Sequence, residues 1–524
     1  MANRWVMLGG AGAALALGIV ACADSGAAPA GPAPIMLLTQ ADAGAAAEDL
    51  GFAFEDSRAE GEAMVFTGVR YAGEDGTVLT ADTLRVTGMG STEGAMQAER
   101  IVAEGLAVTL PQEEGATGTP AVLRAAAVTL DEAAFGGAEG PGAGFDALAF
   151  GSMTADGLTF ETGTLEAGGA GPGNALTVTT SALRVGGYER GLLGPVTLDD
   201  VGVVTAGTPR EDVAQAAAAL GPAAASFLDS PLGRMLTATP DRTRIERVRW
   251  GGLDLRGVRA DLMAGRPLGR ETGDVVVGDL IVRGQTSLVG EAVAERVETT
   301  VIEDVRFDGA VPLTGTIRTE GVLTDLTAYA DPGDEDALAV LSARGLGEVP
   351  GSGVTRWAHD PEAGRFSLTS EQVSEGLSSV TMALDVTGLG GIGAALAAGE
   401  TARDEATAAL LGEAALSGFT LSLTDEQMLD TAFAFAALGG DQSAMELRQQ
   451  AVGIVTLGAL QGGAVSPRVP GYAGAVSSFL QNGGTLTIRM APAEPLSAAG
   501  VQAALSQGPA ALLDAADLTV TRAP

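Results

Sequence analysis

The stretch ADTLRVTGMGSTEGAMQAERIVAEGLAVTL, residues 81–110, decides the fold class. Apolar residues alternate with polar or small ones around Leu84 and Val86, and again around Leu106 and Val108. This period of two is typical of strands that bury one face. A glycine-rich segment separates the two runs and predicts that the chain turns back. The stretch therefore predicts neighbouring antiparallel strands.

The same pattern recurs outward from this stretch, over residues 53–204 and again over residues 244–386. The spacing between the starts of successive strand-like segments is irregular, which favours an antiparallel meander over a solenoid of fixed period. We therefore predict a mainly β protein with antiparallel meander sheets, elongated or sandwich-like, and an α-helical C-terminal region. The predicted segments are a signal peptide at 1–23, a tether at 24–50, a β-rich region at 51–207, a helical insert at 208–242, a second β-rich region at 243–390 and a mainly helical region with short strands at 391–524.

Helix signals mark the C-terminal region. Thr424 with Gln427, and Ser443 with Glu446, match the capping box that opens a helix. Glycines after each apolar run predict where the helices end. The predicted helices are residues 392–416, 425–438, 444–460 and 472–480. Within the second β-rich region, we predict a strand at 253–262, a hairpin at 354–369 that turns at 360–364, and a loop at 331–336.

The composition limits the possible partners. The chain of 524 residues has 66 acidic and 30 basic residues, a formal charge of −36, and every basic residue apart from one histidine is arginine. Such a charge repels nucleic acid and anionic membrane surfaces, so we expect no nucleic-acid partner. Aromatic residues make up only 4% of the chain, which predicts cores built from small side chains.

The N-terminus has the three parts of an export signal. Arg4 is followed by an apolar run and by Ala21-Cys22-Ala23. Residues 19–22, Ile-Val-Ala-Cys, resemble the bacterial lipobox, and Cys22 is the only cysteine. The resemblance implies lipid attachment at Cys22, and Ala23 after it implies the outer membrane, facing the periplasm. Ordinary cleavage after Ala23 would instead give a periplasmic or secreted protein, and an uncleaved anchor is the third alternative because the segment is just long enough to span a bilayer.

Chemical motifs are few, and we predict no catalytic residue, no cofactor and no metal site. His359, beside Asp360, is the only histidine, too few for the usual metal cluster. Residues 388–393 match the dinucleotide pattern G-x-G-x-x-G, but their setting favours a strand-to-helix junction. The acidic groups at residues 331–336 and 74–75, and the half-match to a calcium repeat at 142–146, are more typical of solvated turns than of calcium sites.

In general plan, an N-terminal membrane attachment followed by many short strands with one apolar face, the chain looks like the exported, β-rich, AsmA-like lipid-handling proteins. The resemblance implies a non-enzymatic cell-envelope protein that binds or shuttles lipid or another apolar ligand, with lipid or an envelope protein as partner. Leu84, Val86, Leu106 and Val108 would line an apolar face for acyl chains. If that face packs on a second sheet, it is a sandwich core. A calcium-dependent surface adhesin or layer protein is the alternative function.

Overall fold

The computed structural model describes most of the chain after residue 51. The described residues are 36–37, 52–72, 76–92, 95–110, 120–135, 148–162, 175–206, 240–259, 261, 273–309, 311–330, 333–391, 408–410, 412–438, 441–464 and 466–524. Strands dominate, they pair antiparallel, and the helices lie mostly near the C-terminus, which confirms the predicted fold class. The predicted signal peptide, nearly all of the tether and all but the last three residues of the helical insert lie outside the described residues.

The chain divides into two compact units. The first consists of Met1–Gly207 and Arg244–Leu280, and the second of Thr208–Thr243 and Ile281–Pro524. The strands that belong mainly to the first unit are β1 (Met36–Leu37), β2 (Phe52–Ala53), β3 (Asp56–Glu60), β4 (Ala63–Ala72), β5 (Val78–Thr87), β6 (Gly90–Thr92), β7 (Ala95–Thr109), β8 (Val122–Phe135), β9 (Leu148–Phe150), β10 (Ser152–Glu161), β11 (Ala175–Val185), β12 (Tyr188–Glu189), β13 (Leu192–Leu193), β14 (Val196–Ala206), β15 (Arg242–Trp250), β16 (Leu253–Asp254) and β17 (Val276–Val277).

The long strands of the first unit form an antiparallel meander in the order β3-β4-β5-β7-β8-β10-β11-β14. Its core near the start of the meander includes Met64, Phe66 and Val86, each with at most 8% of its surface exposed. Phe54 packs edge-on against Phe66, with 5.1 Å between ring centroids. Small residues such as Ala81 fill the remaining positions, as the low aromatic content predicts.

The second unit repeats the meander. Its strands are β18 (Leu280–Val289), β19 (Ala292–Asp308), β20 (Val311–Asp325), β21 (Glu348–Asp360), β22 (Arg365–Ser374), β23 (Ser378–Thr387), β24 (Ala415–Asp425), β25 (Gly484–Met490), β26 (Leu496–Ser497) and β27 (Thr519–Ala523). The sheet runs β19-β20-β21-β22-β23-β24-β25-β27. The predicted hairpin is confirmed: the Asp360 carboxylate accepts hydrogen bonds from the backbone N–H groups of Glu362 and Ala363, and Gly364 closes the turn with φ +59°.

The helices of the described chain cluster after residue 330. They are α1 (Glu335–Arg344), α2 (Met428–Ala437), α3 (Ala444–Gly462), α4 (Val469–Asn482), α5 (Ala498–Gln507) and α6 (Pro509–Ala515), with one 3₁₀ turn at Leu326–Tyr329. The capping box at α3 is confirmed, because the Ser443 hydroxyl accepts from the Glu446 N–H and the Glu446 carboxylate accepts from the Ser443 N–H. α1 and α2 meet through Leu341 and Phe435, both at most 2% exposed.

Four local predictions were wrong. Thr424 does not cap α2: β24 extends through Asp425, the Thr424 hydroxyl is hydrogen-bonded to that of Thr485 on β25, and the Asp425 carboxylate accepts from the Leu429 N–H instead. Cross-strand pairing therefore overrides the capping sequence. The same strand takes residues 415–416 from the predicted helix at 392–416. The predicted strand at 253–262 ends at Asp254, and the predicted loop at 331–336 is already helical from Glu335.

A row of aligned residues crosses the meander of the first unit, and on every second strand its residue is left-handed. We call this row, which consists of residues 68, 82, 105, 126, 157, 181 and 200, the first crease. The left-handed members are Gly68, Gly105, Gly157 and Asp200, with φ between +51° and +63°. The register between strands is the same on both sides of the row, for example Thr83↔Glu104 and Thr80↔Ala107.

The first crease keeps one face buried. Residues three apart on a regular strand face opposite sides of a sheet. Across the crease, however, Phe66 and Val69 are both buried, and so are Ala155 and Leu158. The left-handed residue between the members of each pair, Gly68 or Gly157, shifts the side-chain alternation of its strand. A second row, residues 88, 99, 132, 151, 187 and 194, does the same, with Gly88, Glu132 and Gly187 left-handed.

A short sequence motif accompanies these rows. An acidic residue is followed by glycine or a second acidic residue, and the pair is flanked by apolar or small residues. Six examples are AEGL (103–106), LDEA (130–133), ADGL (155–158), LDDV (198–201), IEDV (302–305) and TEGV (319–322). In these six the third residue has φ between +51° and +63°. At these six positions a strand of one unit or the other therefore becomes left-handed.

Candidate functional site

The apolar residues expected to face acyl chains are core residues. Val86 and Val108 are each 5% exposed, while Leu84 and Leu106 pack against the cluster around Phe66. At these four positions the face is therefore filled by other side chains. Lipid attachment at Cys22 concerns a residue outside the described ones. Among the described residues, no helix is both long and apolar enough to cross a bilayer.

His359 and Asp360 are not hydrogen-bonded to each other in the structure. The His359 side chain is 7% exposed, and neither ring nitrogen has a hydrogen-bond partner in the part of the chain that the structure describes. The Asp360 carboxylate is engaged by the N–H groups of its own turn.

The glycines at 388–391 serve close backbone packing. A Cβ on Gly388, whose φ is +83°, would lie 2.0 Å from the carbonyl oxygen of Glu413, and a Cβ on Gly364 would lie 2.8 Å from the nitrogen of Gly390. These contacts support the interpretation that the glycines form a strand-to-helix junction, as far as Gly391. Residues 392–393 lie outside the described chain.

The acidic groups are not assembled into a cation site in the described chain. Glu335 and Asp336 lie in the first turn of α1, where their charge favours the helix N-terminus. Asp331, residues 74–75 and residues 142–146 lie outside the described residues. Over the ranges given above, no three His, Cys, Asp or Glu side chains are placed to hold a metal.

Helix α3 exposes an apolar face. Met445, Ile454, Leu457 and Leu460 are between 58% and 74% exposed. Ile454, Leu457 and Leu460 follow one another at intervals of three, which places them along one side of the helix, whereas Met445 lies on another side. No charged residue occurs between Arg448 and residue 468. We call Ile454, Leu457 and Leu460 the α3 apolar face.

The N-terminal end of α3 is held by its cap. The pKa of Glu446 is lowered by the hydrogen bonds from the Ser443 backbone N–H and hydroxyl. Arg448 lies 5.1 Å from the centre of the Phe433 ring and forms an ion pair with Asp430, both on α2. The charged groups of this end are therefore engaged locally, and the remaining length of the helix is uncharged.

A cavity of about 320 Å³ lies on the sheet of the second unit. Four neighbouring strands, β19 to β22, contribute to it. The lining residues are Asp304, Thr314, Gly315, Thr316, Arg356, Trp357, Ala358, Ser367 and Thr369. On the sheet, Arg356 lies opposite Thr316 on one side and Thr369 on the other, so a guanidinium and two hydroxyl groups share one face.

Gly315 and a β-bulge on β19 both contribute to the lining of the cavity. A Cβ on Gly315 would lie 1.9 Å from Cζ2 of Trp357, so the indole ring lies against the bare backbone of Gly315. On β19, the register shifts between Glu303 and Arg306, and this β-bulge includes Asp304, whose φ is +57°. The Asp304 carbonyl oxygen accepts a hydrogen bond from the Thr314 hydroxyl at 3.0 Å.

The cavity contains two unengaged charges. Neither Arg356 nor the Asp304 carboxylate forms an ion pair within the described residues, whereas nearby Arg318 pairs with Glu303 at 3.3 Å. This cavity was not predicted, because alternating Thr, Ser and Arg is the ordinary pattern of a solvated strand face. The acidic pair at 303–304 was its only detectable signal, as one of the six motifs.

Comparison with known proteins gives one partial match. The model of a family described as "Uncharacterized protein" matches residues 373–523, which include β23 to β27 and helices α2 to α6. No curated protein matches the chain. The matched segment contains the α3 apolar face but not the cavity, and the chain is thus similar over its C-terminal third to a family whose description states no activity.

Proposed function

We propose that this protein is a non-enzymatic, exported cell-envelope protein, lipid-anchored at Cys22, whose scaffold binds or shuttles lipid or another apolar ligand. The observation that carries the proposal is the α3 apolar face. Burying a Leu or Ile side chain contributes about 1.5–3 kcal/mol, so leaving Ile454, Leu457 and Leu460 largely in water is unfavourable unless they have a partner. An uncharged face on a strongly acidic protein suits a neutral, apolar partner.

Lipid is the partner that this proposal commits to. A lipid anchor at the N-terminus would hold the protein near a bilayer and raise the effective concentration of lipid around the α3 apolar face. Anionic headgroups would oppose the approach of a chain with a charge of −36. Neutral lipid therefore fits this face best, and location at the outer membrane facing the periplasm remains part of the proposal.

The test removes the anchor and asks whether the helix still binds lipid. The mature full chain with Cys22→Ser should float with neutral phosphatidylcholine vesicles in a density gradient. Adding Ile454→Glu and Leu457→Glu should abolish flotation, because each exposed apolar contact would then carry a charge. Gln507→Glu, on the exposed surface of α5, is the matched charge control and should leave flotation unchanged.

The opposite results would point elsewhere. If the Cys22→Ser chain does not bind vesicles, or if both glutamate substitutions leave binding intact, the α3 apolar face is not a lipid contact. A melting temperature that rises by many degrees in millimolar calcium and falls with chelator would support the adhesin or layer protein instead, because ligand binding to the native state stabilises it.

A further inference from the structure

We infer that the cavity on strands β19 to β22 binds a small zwitterionic group, with an oxyanion at Arg356 and a primary ammonium at Asp304. Its volume of about 320 Å³ lies at the lower end of the range for ligand pockets, roughly 300–1,000 Å³, which limits the occupant to a small molecule or a headgroup. The two groups named here are the charged side chains of its lining.

Arg356 is suited to the oxyanion. A guanidinium presents several N–H donors in a plane and binds phosphate or carboxylate with paired hydrogen bonds. Several arginines of the described chain form ion pairs with carboxylates, such as Arg365 with Asp385 at 2.9 Å on the neighbouring strands. Arg356 has no carboxylate partner in the described chain, while Thr316 and Thr369 lie opposite it and offer hydroxyl donors. Its guanidinium is therefore able to bind an external anion together with these hydroxyl groups.

Asp304 is suited to the ammonium. Its left-handed backbone is costly for a residue other than glycine, and such strain persists where the surroundings hold it. The equivalent position is glycine in three of the other motifs and acidic in two, Glu132 and Asp200. Asp304 lines the cavity at a bulge, and bulges commonly redirect a side chain beside a site. Its carboxylate would accept hydrogen bonds from an N–H donor.

The spacing selects the kind of zwitterion. Asp304 lies on β19 and Arg356 on β21, with β20 between them, so their backbones are about 10 Å apart. Adjacent charges, as in an α-amino acid, match two separated side chains poorly. Phosphoethanolamine, whose phosphate and ammonium are separated by two carbons, fits better. Its source could be the free compound or the headgroup of phosphatidylethanolamine, and only the second source rests on the lipid function proposed above.

The experiment uses calorimetric titration of the full mature chain carrying Cys22→Ser. Phosphoethanolamine should bind saturably. Arg356→Gln should weaken this binding at least about ten-fold, since hydrogen bonds to charged groups are lost. Asp304→Asn, which tolerates the left-handed backbone, should weaken phosphoethanolamine but leave methyl phosphate unchanged. Arg365→Gln is the matched control and should bind like the parent. Far-UV circular dichroism checks folding, and Thr369→Val offers a second, milder change.

Each outcome of these titrations either supports the inference or overturns it. Absence of saturable binding, or equal binding by the parent and Arg356→Gln, would overturn the inference. Phosphocholine binding as tightly as phosphoethanolamine would refute the role of Asp304, because a trimethylated nitrogen has no N–H to donate. Flotation with phosphatidylethanolamine vesicles then separates the two sources. If the free compound binds and vesicles do not, the site stands and the lipid function fails. If the protein binds vesicles through α3 but does not bind phosphoethanolamine, the lipid function stands and the zwitterion site is refuted.

Discussion

A methyl group at Gly105 probes the packing of the first crease. Gly105 has φ +63°, which costs an alanine about 1–2 kcal/mol. Its Cβ would lie 2.1 Å from Oδ2 of Asp82 and 3.2 Å from the Asp82 Cβ. Both residues are exposed and the Asp82 carboxylate can rotate away, so relieving the contact costs about 0.5–1.5 kcal/mol more, the cost of an off-rotamer side chain. Gly105→Ala should therefore lower the free energy of unfolding by about 1.5–3.5 kcal/mol.

The two contributions can be separated. With Asp82→Ala already present, Gly105→Ala should retain mainly the backbone cost of about 1–2 kcal/mol. Gly61→Ala is the control for that cost, because Gly61 has φ +65° and its Cβ would meet nothing within 4 Å. Urea denaturation of the full mature chain, followed by far-UV circular dichroism, measures all four variants. If Gly105→Ala is no more damaging than Gly61→Ala, or if Asp82→Ala brings no relief, the account of the crease is wrong.

Four further results are expected. Ser443→Ala should destabilise α3 by about 1 kcal/mol, the usual cost of losing an N-cap side chain, and a denaturation midpoint equal to that of the parent would show that the cap is unimportant. The bonds that lower the pKa of Glu446 give stability that is present above the pKa of the unfolded chain and is lost as the pH falls through the lower folded pKa, so the melting temperature of Glu446→Gln should respond less to acid than that of the parent. Gly315→Ala should displace the Trp357 ring and shift its fluorescence emission, which an unchanged spectrum would contradict. Radiolabelled palmitate should enter the parent but not Cys22→Ser, and equal labelling of both would refute lipid attachment.

The strand pattern was predictable because each strand buries one face. The alternation around Leu84 and Val86 follows from that burial. The hairpin turn at Asp360 was predictable from local turn chemistry. The capping box at Ser443 was equally readable, because all of its hydrogen bonds are local. Elements held by local chemistry are thus found from the sequence.

Features that depend on distant partners were not found. Thr424 matches a cap, yet its hydroxyl bonds to Thr485, which is remote in sequence. The exposure of Leu457 cannot be read from its helical spacing, because the same spacing describes a core helix. The cavity arises from a bulge at Asp304 and a ring lying on Gly315, and both depend on strand pairing across β19 to β21. Its arginine looks like any solvated residue until its neighbours are known.

The two creases also decide how strands find their partners. The strands of the first unit are rich in Ala, Val and Thr, so sliding one along another by two residues would keep every apolar side chain on the same face. Such a slip is unfavourable at a crease, because a left-handed residue moved by two positions would leave part of the apolar row pointing to solvent. The left-handed residues thus fix the register of the seven strands, although the strand sequences are nearly interchangeable. Two added residues should be tolerated between strands but not within one.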